Sequence, residues 1–264
     1  MSPCRCRIVC RVGMFLGGGA LILAVFSPLT SPVPAPLRPF FLGITTSIAT
    51  LALTLLFVQW DNLRLGDVGI APSKWSPPRF ALGFLIGLLL VALSASIQTT
   101  VGHARWARTP DVGFVSVTTT LFSVIALASR EELAFRGYPL RRLEHQFGLW
   151  PAQITIALVF ALEHWLGGWP ISNAVFGAGI GSLVFGMAAI ATKGLALPIG
   201  LHAAWNFGDS MIGQNYFPGL WHAIIQDQHA GQLQTLIITS YLIPMSLAFL
   251  LFWFWHRRMM AARN

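Results

Sequence analysis

The chain is short of charge. Of its 264 residues, 10% are Asp, Glu, Lys or Arg, 55% are hydrophobic, and the mean hydropathy is +0.66. A soluble domain carries about 25% charged residues, so a water-soluble globular protein is excluded. Cysteine is scarcer. All three, Cys4, Cys6 and Cys10, lie in the basic N-terminal tail. That rules out a disulfide framework, and Cys-Arg-Cys is too tightly spaced for the usual zinc pairs. Free thiols on a reducing face, or juxtamembrane acylation sites, remain. A basic stripe is also missing. The net charge of +8 is dispersed between apolar stretches, so a nucleic-acid partner is not expected. Nor is there an internal repeat of the kind that builds inverted-repeat transporters.

Long apolar runs are what the chain has instead. A spanning helix needs about 20 apolar residues. Eight segments qualify, at 12–29, 38–60, 80–101, 112–134, 150–166, 172–192, 194–212 and 235–256. The fold class they predict is all-α, a polytopic membrane bundle of about eight transmembrane helices. The fifth and seventh segments are the least apolar, which predicts an interior position for both. The organisation reads as N-terminal helices over 1–111, a core over 112–212, and a loop with a last helix over 213–264.

The cations orient the bundle. With the N-terminus inside, the inner loops hold Arg5, Arg7, Arg11, Arg64, Lys74, Arg79, Arg136, Arg141, Arg142, Lys193, Arg257, Arg258 and Arg263. The outer loops hold Arg38, Arg105 and Arg108, and Arg130 lies within the fourth segment. A split of 13 against 3 favours both termini inside. The basic start followed by an apolar run and Ser-Pro-Val-Pro-Ala also resembles a signal peptide, though the run is long and the Pro-rich tail is a poor cleavage site. Gly83/Gly87 and Gly177/Gly181 are G-x-x-x-G pairs that let helices approach closely.

Three polar patches interrupt the apolar runs. A charge at the centre of a bilayer helix costs about 2.5–3.5 kcal/mol on insertion scales, so such groups face one another or a hydrated cavity. The first patch is Glu131-Glu132 with Arg136. Glu132 and Arg136 are four apart and share a helix face. Glu131 and Arg136 are five apart and point about 140° away from each other. Arg136 is therefore expected to hold Glu132, leaving Glu131 free to act as a general base. On this patch alone, two glutamates capping a helix end near the inner face is an equal reading. The second patch is Phe160 with His164, one turn apart, and Glu163 adjacent as a second acid or an interfacial charge. The third is His202 with Asn206, again four apart. Both can donate to a developing oxyanion, or simply join helices by hydrogen bonds. Tyr138-Pro139 should bend or end the fourth helix.

Taken in order, E-E-x-x-x-R, F-x-x-x-H and H-x-x-x-N on successive apolar segments resemble the CPBP family, the CAAX proteases and bacteriocin-processing enzymes also called Abi proteins. The "FRG" after the glutamates and the "GLALPIGLHAAWNF" run are similar too. The resemblance implies an intramembrane endopeptidase of the glutamic type that uses no metal or other cofactor. Glu131 and His164 would activate a water, and His202 and Asn206 would form an oxyanion hole. Glu132, Arg136 and Phe160 would support the site. Its partners would be membrane lipids and a peptide or protein substrate, lipidated or not, cut near the C-terminus or close to the membrane. The location implied is a bacterial plasma membrane.

Two other readings stay open. One glutamate and two histidines are permissible zinc ligands, although no H-E-x-x-H occurs. The chain could equally be a non-enzymatic scaffold or immunity protein whose polar residues join helices. No serine or cysteine in these segments is placed beside a suitable base, which argues against a nucleophile mechanism. Glu131 at the end of the fourth run predicts a site near the inner face.

Overall fold

The computed structural model describes residues 3–214, 217, 219–224 and 233–262. Among them are nine α-helices: α1 (Pro3–Leu29), α2 (Arg38–Trp60), α3 (Ser76–Thr100), α4 (Phe114–Arg136), α5 (Tyr138–Phe147), α6 (Leu149–Leu166), α7 (Ile180–Thr192), α8 (Ala196–Met211) and α9 (Leu233–Ala261). A π-helical stretch, Asn173–Gly179, leads into α7. The two short strands β1 (Arg105–Arg108) and β2 (Trp221–Ile224) pair antiparallel.

Each of the eight apolar runs folds as helix. Six helical stretches are long and apolar enough to cross a membrane: Arg5–Leu29, Ala35–Trp60, Ser76–Thr100, Leu149–Leu166, Asn173–Thr192 and Thr235–Ala261. The protein is a helical membrane bundle. Of the eight apolar runs, the two outside this set form α4, which carries Arg130, Glu131, Glu132 and Arg136, and α8, which is 16 residues long. Both pack among other helices, so neither needs a lipid-facing surface all round.

The turn at Gly137 ends α4, and Pro139 sits in the first turn of α5, where its missing N–H costs nothing. Sequence reading finds the break but not the helix after it. α5 buries Tyr138, Pro139, Leu140 and Leu143 along one stripe and is otherwise polar. Ten amphipathic residues give no signal on a hydropathy scale.

The fifth apolar run is not interior, contrary to expectation. α6 exposes Ile154, Leu158, Leu162 and Trp165, and only 33% of its apolar window is buried. The seventh run, α8, is largely buried as expected, and the other interior position belongs to the sixth run, whose window is 72% buried. Apolar residues serve equally against lipid and against protein, so hydropathy cannot separate the two. Small residues can. Gly181, Ser182, Gly186, Ala188 and Ala189 of α7 are all buried, and they admit neighbours close to the backbone.

α3 and α8 meet backbone to backbone. A Cβ on Gly83 would lie 2.1 Å from the Leu197 carbonyl oxygen, and one on Gly200 would lie 2.1 Å from that of Phe80. Gly87 faces the Leu201 carbonyl in the same way, at 2.6 Å. On the other side, the Ser47 hydroxyl of α2 donates to the Ala126 carbonyl of α4 at 3.0 Å. At the α1–α2–α5 corner Asp61 is buried. It pairs with Arg11 and, at 2.8 Å, with Arg142, and accepts a hydrogen bond from Tyr138 Oη at 2.8 Å. Burial pushes the Tyr138 phenol above its ordinary range, so it remains a donor here.

Candidate active site

Glu132 and Arg136 are both fully buried on one face of α4, with Nη1 to Oε1 at 3.4 Å. Three rings cage the guanidinium. Its Cζ lies 4.4 Å from the centroid of Phe160, 5.6 Å from Phe185 and 5.8 Å from Phe135. The i, i+4 pairing expected from spacing is present, and α6 and α7 supply the aromatic walls.

His202, at 5% exposure, projects from α8 into the same pocket. Its Nδ1 lies 2.9 Å from Glu132 Oε1. We assign the hydrogen to Nδ1, because a carboxylate already paired with a guanidinium accepts rather than donates. The ring stacks on Phe185 at 4.3 Å with an interplanar angle of 16°. Its other nitrogen, Nε2, faces Glu131 Oε2 at 3.7 Å. One imidazole thus sits between the two adjacent glutamates of α4.

His164 lies in the last turn of α6. Its Nδ1 is 2.9 Å from the Phe160 carbonyl oxygen. A carbonyl only accepts, so Nδ1 carries the hydrogen and Nε2 presents a lone pair. The ring lies 4.4 Å from Phe160 and edge-on to Trp169 at 4.7 Å. His164 and His202 are both near enough to Glu131 to interact with it electrostatically. The Glu131 side chain is 18% exposed, and its Oε2 makes no hydrogen bond to a described residue. Asn206 follows His202 by one turn of α8 and is half-buried.

The first helix also reaches the site. Arg130 Nη2 donates to the Gly19 carbonyl of α1 at 3.5 Å. Gly19 is ten residues, about 15 Å, from the Leu29 end of α1.

Three participants escaped sequence reading. Phe185 and Trp169, which bracket the two imidazoles, look like any other aromatic in an apolar run. Arg130 pairs with Glu163 through two oxygens, at 2.5 and 3.2 Å. Both Glu163 oxygens are therefore engaged by Arg130 rather than turned to the histidines as a second acid. Among the described residues no three His, Cys, Asp or Glu side chains are arranged to hold a metal ion.

Residues 113–208 match the family model described as type II CAAX prenyl endopeptidase Rce1-like. Over that stretch the chain is similar to the CPBP family. The matched stretch runs from the start of α4 to Gly208 in α8 and contains every site residue named above. The core is that of a CAAX-type membrane protease in the general sense, with a protein or peptide as its substrate. No curated protein matches the chain.

Proposed function

We propose that the chain is a glutamic-type endopeptidase that cuts membrane-proximal or C-terminal peptide bonds with a water activated by Glu131 and His164. The observation that carries this reading is the His202 ring held between Glu132 at 2.9 Å and Glu131 at 3.7 Å. Such an arrangement brings an unengaged carboxylate oxygen to a ring that is already fixed in orientation.

In this reading a water lies between Glu131 and the bare Nε2 of His164. Glu131 removes a proton, and the oxygen attacks the peptide carbonyl carbon. The carbonyl oxygen becomes an oxyanion, stabilised by His202 and the Asn206 carboxamide. His202 already donates its Nδ1 hydrogen to Glu132, so it can donate to the oxyanion only when Nε2 is also protonated. The proton that Glu131 takes from water can be shared with that nitrogen across the 3.7 Å gap. Negative charge on the substrate oxygen and positive charge on the ring then grow together. Collapse of the intermediate breaks the C–N bond, the leaving amine takes the proton, and a carboxylate and an amine depart without a covalent enzyme intermediate.

The family description favours a prenylated C-terminal tail as the substrate, and the cation distribution favours eight crossings with both termini inside a bacterial plasma membrane. A test uses purified protein in lipid vesicles with a farnesylated CAAX peptide. Cleavage that Glu131→Gln removes, and that a chelator leaves intact, is the expected result. Chelator loss reversed by zinc would replace this mechanism with a metalloprotease. No cleavage by the wild type would leave the scaffold reading, and equal cleavage by the wild type and Glu131→Gln would remove Glu131 from the mechanism.

A further inference from the structure

Arg130 and Glu163 make a buried two-point ion pair beside the proposed reacting groups. Arg130 is the residue before Glu131 on α4, and Glu163 is the residue before His164 on α6. Arg130 is only 2% exposed, and its second anchor is the Gly19 carbonyl of α1. The backbones of α4 and α6 pack chiefly on other helices. α4 lies against α2 and α8, and α6 against α5 and α7. What bridges the two helices is side chains: this ion pair, the edge-to-face rings of Phe135 and Phe160 at 4.9 Å, and Arg136 over Phe160. Rings can slide over one another. A guanidinium fork on a carboxylate has a fixed length and a fixed plane.

Stability alone does not call for such a pair. Apolar replacements of a buried ion pair are often neutral or stabilising. Its distinctive property is its place, one residue from each of the two groups that would hold the water. We propose that the Arg130–Glu163 pair is a strut that sets the gap between Glu131 and His164. Both are positioning residues, since neither touches the reacting atoms. The inference rests on the roles given above to Glu131 and His164.

The test has two independent readouts on the full-length protein in lipid vesicles. The first uses a fluorescent farnesylated CAAX peptide as probe. Arg130→Lys keeps the charge but loses the fork, and Glu163→Asp keeps the pair but shortens it by one methylene. Either should lower kcat by about 10- to 100-fold, the scale of an ångström-sized misplacement, with KM changed less than about twofold. Should one variant fail to fold, the other carries the test.

The second readout needs no substrate. With Cys4, Cys6 and Cys10 replaced by serine, Glu131→Cys and His164→Cys are joined by a short bifunctional thiol reagent. Adding Arg130→Lys or Glu163→Asp should cut the crosslinking yield several-fold. Unchanged crosslinking overturns the strut, whatever happens to kcat. Reduced crosslinking with unchanged kcat overturns its catalytic relevance. Reduced crosslinking in a protein whose wild type leaves the peptide uncut keeps the strut and rejects the substrate reading instead.

Discussion

His164 and His202 are one residue type in two settings. His202 is buried, stacked flat on Phe185, with Nδ1 committed to the Glu132 carboxylate. His164 is half-buried, edge-on to Trp169, with Nδ1 committed to its own helix one turn back. The partner of one nitrogen decides the use of the other. A backbone carbonyl leaves His164 with a lone pair, suited to taking a proton. A carboxylate holds His202 in a geometry that tolerates positive charge, suited to donating one. Under the proposed mechanism, the two settings would let one fold draw a water-orienting acceptor and an oxyanion donor from the same side chain.

The largest expected effect bears on the group the two rings share. Glu131→Gln keeps shape and removes the base, so cleavage should fall by about 10²–10⁴-fold, the usual contribution of a general base. An unchanged melting curve beside that loss would separate chemistry from folding. Next is Glu132→Gln, which releases His202 and strands the buried Arg136. Breaking one partner of a buried pair costs about 3–5 kcal/mol, so denaturant unfolding should show a loss of that order. The same change should leave the His164 side intact. Asn206→Ala should lower kcat by about 10²–10³-fold with little change in KM, as removal of one oxyanion donor does. The smallest effect sharpens the contrast. Phe185→Leu removes the ring stacked on His202, and Trp169→Leu the ring edge-on to His164, each worth about 0.5–1.5 kcal/mol beyond burial. NMR chemical shifts of the two imidazoles should move only for the ring that lost its neighbour. Movement of both together would mean the two settings are not separate.

Much of this was legible from residue spacing. Glu132 with Arg136, and His202 with Asn206, each share a face because four residues make about one turn, and every apolar run became helix. What spacing could not reveal lies between helices. Nothing in "SREEL" or "FALEHW" says that Arg130 meets Glu163, since the two are 33 residues apart and each has charged or polar neighbours nearer in sequence. The fifth run was misjudged as interior, though the seventh was not, because hydropathy scores a lipid-facing leucine and a core-facing one alike. Small residues in Ile180–Thr192 held the better signal. α5 was missed because amphipathic polarity reads as a loop on an apolarity scale.

The contact of α3 with α8 has a mechanical consequence. With Gly83, Gly87 and Gly200 leaving less than an atom's width between the main chains, those two helices can neither slide nor roll past each other without collision. They make a single plank, and His202 is nailed to it. Whatever gives way to admit a polypeptide must hinge elsewhere around the chamber.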